Sequence, residues 1–595
     1  MAKWGILIGV IVIPLGAGVF FSAAPPHKAD FTFINRGTIT TLDPAAMSWL
    51  QDIRLALTIW EGLYSYDPKT TEPVPGCALR PEISDDRRTY TFRIRPQARW
   101  NNGDPVTAHD FVYAWRRALE PGTAADYAFF FDLIEGVKKY FDWRIEETNR
   151  IGTIPNPTTK REARDAHLVE ADGRFDITVG IAALDDKTLQ VRLTRPVAYF
   201  LDLCAFSVFL PVHVASVQKY EIISDNGLVH YDEQWVKPYN PKKRTGTFYN
   251  GPFYMTDWKF KREIRLAKNP YYWNRDTVKL DSIEMVDVED ANTAWLLYSA
   301  GRVDWLSSLE MVYAPKLIAT SASPFQNAIN KTGTLRNDIH AFGAFGTYFY
   351  NFNCTDHLPG NRPNPFKDKR IRQAFTMAVD KKSLVDQVVR RGNPTTTTMV
   401  PPGSIIGYPN VTGLPYDPLH AQQLLADAGY PDGEGFPEVV ILFNTGFRHG
   451  DIAQAIMGMW ERTLGIRGRT TGKEIKTFRE DKKNVNFVIC RASWYGDYGD
   501  PTTFLEMFMT GNGNNDSGYN DPRYDRMLID AEKETDPKKR LEKLAQAERY
   551  LVNDTLPLLP LYNYVNIFAF NPKRISNLYL TPRMMTMLRV VEVNQ

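Results

Sequence analysis

Apolar and polar side chains alternate strictly along residues 88–95, so Tyr90, Phe92 and Ile94 share one face and threonine and arginine share the other. Because successive side chains of a β-strand point to opposite faces, this pattern predicts a half-buried strand. Residues 188–193 repeat the pattern and predict a second strand of the same kind.

Helical signals follow the first of these strands. Thr107 and Asp110 have the spacing of a capping box, in which each side chain binds the other residue's backbone N–H. The helix that they start is predicted to pack through Phe111, Val112, Trp115 and Leu119. The pattern therefore indicates a strand, a turn and an amphipathic helix in succession.

Two further helices are predicted in the second half of the chain. From Arg370 onward, a buried stripe is formed by Ile371, Ala374, Phe375 and Ala378. Asp417 and Pro418 supply a cap and a proline in the first turn of another helix, which ends at Gly429. This second helix is expected to bury Leu424, Leu425 and Ala428. Mixed α/β structure is the prediction for the whole chain.

Three polar segments are interpreted as surface features. Residues 136–172 are rich in charge and predict a surface insertion rather than a domain. Residues 468–473 resemble a phosphate loop, but they are one residue short and Glu474 follows where serine or threonine is needed, so a turn is predicted. Residues 512–516 have the oxygen spacing of a calcium loop without its glycine and its final glutamate, which predicts a polar loop.

The amino terminus has the pattern of an export signal. Lys3 precedes residues 4–21, which carry no charge and as a helix would span about 27 Å. Small residues follow at 22–24, but the prolines at 25 and 26 make a poor cleavage site. Residues 1–29 are therefore predicted to be a signal peptide or an uncleaved membrane anchor, and the protein is predicted to be periplasmic or extracytoplasmic. No later segment is long and apolar enough to span a membrane.

Composition narrows the function classes. The 595 residues are 43% hydrophobic and 24% charged with a mean hydropathy of -0.35, as in a water-soluble protein with ample core. A formal charge of +2 is too small to indicate the overall positive charge typical of nucleic-acid-binding proteins. Cys77, Cys204, Cys354 and Cys490 are too few and too scattered for a disulfide scaffold or a zinc cluster.

Enzyme signatures are absent from the sequence. There is neither a Gly-x-Ser-x-Gly elbow nor a His-Glu-x-x-His zinc helix. Paired carboxylates such as Asp497 and Asp500 could serve acid–base chemistry, but no cleft is defined around them at this level. A secreted hydrolase stays open as an alternative, although the preferred interpretation has no catalytic residue, metal or cofactor.

Nine blocks in sequence order carry a family resemblance. They are residues 41–44, 60–63, 90–95, 100–111, 250–253, 268–273, 364–374, 378–380 and 424–430. Over about residues 40–570 the chain resembles the extracytoplasmic solute-binding proteins of the peptide/dipeptide/nickel class (family 5), the receptors of ABC importers. Within that class it is most similar to the oligopeptide-binding proteins.

The resemblance implies an α/β fold of the two-lobed, hinge-closing periplasmic-binding-protein type (type II) with an extra third domain. The expected division is lobe I at 30–64, 196–344 and 566–595, domain II at 65–195 and lobe III at 345–565. A peptide is expected to lie extended between the lobes and to bond through its backbone like an added strand. The closed receptor is expected to dock on a membrane permease.

Residues 490–505 resemble the peptide-clamping segment of the oligopeptide binders. In that family the acid at the position of Asp497 pairs with the peptide α-ammonium, and the arginine at the position of Arg491 can meet a carboxylate. Every free peptide carries an α-ammonium, so one acid there binds peptides whatever their side chains. The alternatives are a solvated loop acid or a helix cap near Thr502 for Asp497, and an internal salt bridge for Arg491.

Other candidate ligand-binding residues follow from the same resemblance. His449 lies where a histidine can meet the terminus of a longer ligand, and Arg390 and Arg391 lie near another basic position. The expected aromatic residues of the cleft are Trp494, Tyr495, Tyr127 and Tyr564, although core packing explains any one of them about as well. Ile475 stands where the family has a large aromatic, which leaves the shape of the side-chain pocket open.

The function that follows is capture of oligopeptides for import by an ABC transporter, by a monomer that binds no nucleic acid. One alternative is a membrane-anchored peptide sensor or chaperone-like subunit. Another is a receptor for a different amine or for nickel.

Overall fold

A computed structural model describes residues 29–35, 37–309, 337–446 and 448–594. The α-helices are α1 Leu50–Ile59, α2 Ala108–Ala118, α3 Val137–Gly152, α4 Pro157–Thr178, α5 Phe200–Leu203, α6 Val214–Val217, α7 Ala291–Ser299, α8 Lys369–Met377, α9 Lys381–Ser383, α10 Pro418–Asp427, α11 His449–Leu464, α12 Ile475–Lys483, α13 Thr502–Leu505, α14 Pro522–Glu532 and α15 Pro537–Arg549.

The strands are β1 Phe31–Ile34, β2 Tyr64–Tyr66, β3 Pro73–Pro75, β4 Glu82–Ile83, β5 Thr89–Arg93, β6 Ile181–Asp185, β7 Thr188–Arg192, β8 Glu221–Ile223, β9 Val229–Tyr231, β10 Phe253–Lys259, β11 Glu263–Lys268, β12 Ser282–Val286, β13 Trp305–Leu306, β14 Ile339–Phe352, β15 His357–Leu358, β16 Arg362–Pro363, β17 Val439–Asn444, β18 Gly468–Lys473, β19 Ile489–Tyr495, β20 Leu558–Phe570, β21 Ile575–Ser576 and β22 Glu592–Val593.

A ten-stranded sheet runs through the molecule in the order β10-β11-β12-β1-β13-β20-β14-β19-β17-β18. Two long antiparallel strands, β14 and β20, form its middle and join the strands of the first 310 residues to those after residue 438. Their register shifts between Gly343 and Thr347. A separate sheet, β4-β5-β7-β6, lies outside this frame.

Distinct buried clusters lie along this frame. The largest, here called the first core, is built mainly from residues between Phe31 and Trp305 and from Phe568 onward, and it also includes Phe342 and Tyr498. Two more, the second and third cores, draw on residues from Phe345 to Tyr562. The lobe and domain boundaries expected from the sequence stay a prediction.

The predicted strands and helices are present at the expected places. Tyr90, Phe92 and Ile94 are buried along and just after β5, which pairs with β7. Helix α8 buries its predicted stripe, and α10 ends before Gly429, whose φ of +97° suits glycine. Leu425 is buried as expected, whereas Leu424 and Ala428 are only half-buried.

The capping box at the start of α2 forms in both directions between Thr107 and Asp110. We expect Thr107→Ala to lower the free energy of unfolding by about 1 kcal/mol, because a backbone N–H of the first turn loses its acceptor. Urea unfolding monitored by circular dichroism checks this, with exposed Thr535→Ala as the control. Equal stability of the two variants would contradict the role of the cap.

The charge-rich segment forms two antiparallel helices, α3 and α4, on the surface. Buried Arg144 of α3 pairs with Glu120 and contacts His167 of α4. Burial and the neighbouring Arg144 charge lower the pKa of His167 to about 4, so the imidazole is neutral at physiological pH. The insertion is therefore fastened to the body of the protein by a buried polar cluster.

One local prediction is wrong. Residues 468–473 form the edge strand β18 and pair in parallel with β17, whereas a turn was expected there. An edge strand keeps one side open to solvent, so its threonine, arginine and lysine side chains need no apolar pattern. The predicted polar loop at 512–516 does consist of turns.

The predicted signal or anchor segment falls on residues 1–29, of which the structure describes Ala29 alone. Among the described residues, no helix has both the length and the apolar character needed to cross a membrane. The four cysteines are free thiols, and three of them are buried.

Candidate functional site

The site is built around the carboxyl-terminal end of strand β19. One edge of β19 pairs with β14 along its whole length, from Ile489 to Tyr495. On the other edge, pairing with β17 covers Ile489 and Cys490 and stops there among the described residues. Beyond Cys490, this edge of β19 has no strand partner among the described residues, so it is an open strand edge that leads to the loop carrying Asp497.

Asp497 is half-buried in the loop that follows this open strand edge. The hydroxyl of Tyr127 donates a hydrogen bond to Oδ1 of Asp497 over 3.5 Å. The backbone N–H of Asp497 donates to the Thr503 hydroxyl over 3.0 Å. None of the ion pairs among the described residues includes this carboxylate. Burial raises the pKa of Asp497 to about 7, as expected for a desolvated carboxylate that has no ion-pair partner among the described residues.

Tyr127 comes from a different part of the chain from Asp497. It precedes the short 3-10 helix Ala128–Leu133, and its ring stacks on Phe130 with centroids 5.2 Å apart. Phe206 packs edge-on against the same ring at 4.8 Å. These contacts fix the hydroxyl beside Asp497, so the structure brings two of the sequence-predicted residues together.

Sequence reasoning missed the residues that hold the Asp497 loop. Tyr498 is buried in the first core, where it stacks on Tyr199 with centroids 4.1 Å apart. Arg540 Nη1 donates to Asp500 Oδ2 over 2.6 Å, and its Nη2 donates to Asp500 Oδ1 over 3.0 Å. No local pattern marks these partners, because each belongs to a distant segment.

Arg491 projects from β19 and lies over the ring of Tyr348, 4.9 Å from its centroid. Its guanidinium donates to Asn444 Oδ1 and to the Tyr564 hydroxyl, each over 3.3 Å. The internal salt bridge that was the alternative explanation is absent from the described residues. Arg491 is thus a half-buried cation held by neutral groups.

His449 is buried at the start of α11, and its Nδ1 lies 3.0 Å from the Tyr348 hydroxyl. Burial and the nearby charge of Arg491 lower the pKa of His449 to about 3. The imidazole is therefore uncharged at neutral pH, so it cannot form an ion pair with a ligand carboxylate.

The remaining aromatic candidates divide between the two faces of β19. Tyr495 is on the same face as Arg491 and stacks on Tyr564 with centroids 4.7 Å apart. Trp494 points to the opposite face and packs against the third core. The alternation of side chains along a strand separates Trp494 from the Arg491 group.

Two further sequence candidates lie outside this group. Arg390 is exposed at the end of a π-helix and donates to the Gln387 carbonyl over 2.7 Å. Ile475, at the first position of α12, is partly exposed. Neither contacts Asp497 or Arg491 through any hydrogen bond or ring contact described for them.

Asp497 and Arg491 allow the site to bind ligand groups of opposite charge. Among the described residues, no group of three or more His, Cys, Asp or Glu side chains could hold a metal ion. Elsewhere, Ser216 lies 3.3 Å from Nδ1 of His213, whose Nε2 is 3.4 Å from Asp104. Ser216 is only 2% exposed, so its hydroxyl cannot meet a substrate carbonyl.

Solved structures of similar proteins identify the fold class. The unliganded open form of MppA, a periplasmic murein tripeptide-binding protein, superposes with a TM-score of 0.73 at 26% identity over 95% of this chain and 98% of that one. Haemophilus influenzae OppA in complex with RPPGFSPFR gives a TM-score of 0.65 at 26% identity, with 95% and 99% covered. The fold is that of a two-lobed type II periplasmic binding protein.

The sequence comparisons are more specific. The chain belongs to the bacterial extracellular solute-binding proteins of family 5, since the model described as "Bacterial extracellular solute-binding proteins, family 5 Middle" matches residues 72–516. Bacillus subtilis oligopeptide-binding protein OppA is 31% identical over 505 residues, 84% of this chain and 81% of that protein. Escherichia coli periplasmic OppA is 26% identical, with 95% and 93% covered.

Proposed function

We propose that this protein captures oligopeptides with a free amino terminus outside the cytoplasm and delivers them to an ABC permease for import. The observation that carries the proposal is the Asp497 carboxylate, half-buried and without a cationic partner at the end of an open strand edge. The peptide α-ammonium would supply the missing positive charge.

The strand edge supports a peptide rather than another amine. An extended peptide laid along β19 beyond Cys490 would bond to its backbone N–H and C=O groups, as an added strand does. These bonds depend on the main chain alone, so they tolerate many side chains. The relative from H. influenzae that is solved with RPPGFSPFR is a peptide binder of the same fold.

The other residues take proposed roles around this frame. Tyr127 orients the Asp497 carboxylate, and Arg491 meets a ligand carboxylate. The position of His449 near Arg491 suits the terminus of a longer ligand. Tyr495 and Tyr564 form an aromatic wall beside Arg491, and Trp494 supports β19 from the other face. The predicted lobes I and III with domain II would enclose the peptide, and a monomer would suffice because both ends of the site lie in one chain.

Blocking the ligand's amino group tests the proposal. We expect tri-, tetra- or pentaalanine to bind with a free amino terminus, and its N-acetylated form to bind at least about thirtyfold more weakly, because Asp497 then meets no ammonium. Isothermal titration calorimetry on the protein, purified under denaturing conditions and refolded to remove retained cargo, measures both.

Carboxyl-terminal amidation of the same peptides is the matched control, since it removes a charge at the other end. Equal affinity of free and N-acetylated peptides would contradict the ammonium site. Binding of none of the peptides would contradict oligopeptide capture itself.

A further inference from the structure

A buried ion pair lies directly behind the Asp497 loop. Arg583 Nη1 donates to Asp202 Oδ2 over 2.6 Å, and Nη2 donates to Asp202 Oδ1 over 2.8 Å. Arg583 is 7% exposed and Asp202 4% exposed, and the guanidinium lies 4.7 Å from the centroid of the Tyr66 ring. This two-pronged geometry fixes the guanidinium plane.

The Asp497 loop sits on this pair. Arg583 Nη2 reaches the main-chain carbonyl of Asp497 at 3.4 Å. A Cβ added at Gly499 would come within 3.0 Å of Asp202 Oδ2 and 3.1 Å of Arg583 Nη1. Glycine at position 499 therefore allows the loop to approach the ion pair more closely than most side chains would permit.

We propose that Arg583, held in place by Asp202, is the positioning residue of the ammonium site: it fixes the Asp497 backbone and supplies positive potential that keeps the carboxylate available to the ligand. This inference rests on the proposed function. It adds a buried residue that lies 86 positions from the acid that it serves.

Electrostatics supports the role. Burial disfavours the charged form of Asp497 and raises its pKa. The Tyr127 hydrogen bond and the Arg583 charge act in the opposite direction and limit the rise to about 7. Asp202 faces Arg583 from the other side and cancels part of its charge. Other titratable groups beside the loop are Tyr66, Tyr127, Tyr498 and Asp500. Burial raises the pKa of the three tyrosines, so they carry no charge at neutral pH, and the charge of Asp500 is paired with Arg540.

The pH at which peptide affinity is half-lost reports the ionisation of Asp497. We expect Arg583→Gln to move this midpoint upward by about half a pH unit or more, because the carboxylate loses a nearby positive charge. Arg583→Lys keeps the positive charge but loses the paired hydrogen bonds to Asp202. The pH midpoint should therefore stay the same while peptide binding weakens severalfold. Calorimetric titrations with trialanine between pH 5.5 and 8 measure both quantities.

Arg117→Gln is the matched control, because Arg117 forms an equally buried two-pronged pair with Asp43 in the first core, away from this loop. It should lose stability without moving the midpoint. An unchanged midpoint in folded Arg583→Gln would overturn the electrostatic role. Full wild-type affinity in Arg583→Lys would overturn the positioning role. If Arg583→Gln does not fold, the affinity of Arg583→Lys still tests that role.

A ligand-free measurement separates this inference from the proposed function. The carboxyl carbon of Asp497, assigned as the ¹³C signal that Asp497→Asn removes, can be titrated without any peptide. An upward shift of its pKa in Arg583→Gln supports the inference even if trialanine fails to bind the wild type, whereas identical titration curves in the two proteins refute it.

Discussion

Asp497→Asn is expected to weaken peptide binding by roughly thirtyfold to several thousandfold, the cost of removing one partner of a buried, hydrogen-bonded charge pair. Asparagine keeps the size of the side chain and can still accept the Tyr127 hydrogen bond. It removes only the negative charge that would meet the peptide ammonium. Calorimetry with an alanine peptide at pH 7.5 measures the loss.

The control for this substitution lies next to Tyr127. Asp126 is exposed, and Asp126→Asn removes the same charge without touching the β19 edge. Its affinity should stay within about twofold of the wild type, since exposed charges interact weakly through water. If both variants bind like the wild type, Asp497 is a solvated loop acid and the ammonium belongs elsewhere.

Affinity for peptides should also fall as the pH drops below 7. The empty site takes up a proton on Asp497 with a pKa of about 7, whereas the complex with an ammonium keeps the carboxylate ionised. Protons therefore compete with the ligand, and each unit below pH 7 should weaken binding up to about tenfold. Above pH 8 the peptide amino group itself loses its charge, with an ordinary pKa of about 7.7–8.0.

Titrations at constant ionic strength between pH 5.5 and 8.5 check this profile. The same series on Asp497→Asn is the control, and it should lose the acidic limb. His449 cannot produce that limb, because its pKa is already lowered to about 3. A flat profile between pH 5.5 and 7.5 in the wild type would contradict a desolvated Asp497.

Local patterns predicted the elements that depend on neighbouring residues. Strand β5 follows from the alternation of Tyr90 and Phe92, and α2 follows from the capping box at Thr107. In both elements, the side-chain periodicity and the hydrogen bonding of terminal backbone N–H groups involve residues only a few positions apart. The family resemblance then placed Asp497 and Tyr127, which the structure brings together.

What the sequence could not supply depends on distant partners. Arg583 meets Asp202 across 381 positions, and no local signal joins them. The strand at 468–473 is stabilised by pairing with β17, which outweighs its polar composition. The neutral state of His449 likewise follows from burial beside Arg491, which only the folded arrangement reveals.

The interrupted pairing of β19 has a consequence for what can enter. Unsatisfied main-chain groups on the outside of a sheet invite other proteins to add strands and to aggregate. Here the unpaired edge begins in mid-sheet, beside β17, rather than at an outermost strand of the sheet. We expect such an edge, flanked by strands of its own sheet, to accept a short extended chain rather than the edge strand of another folded protein.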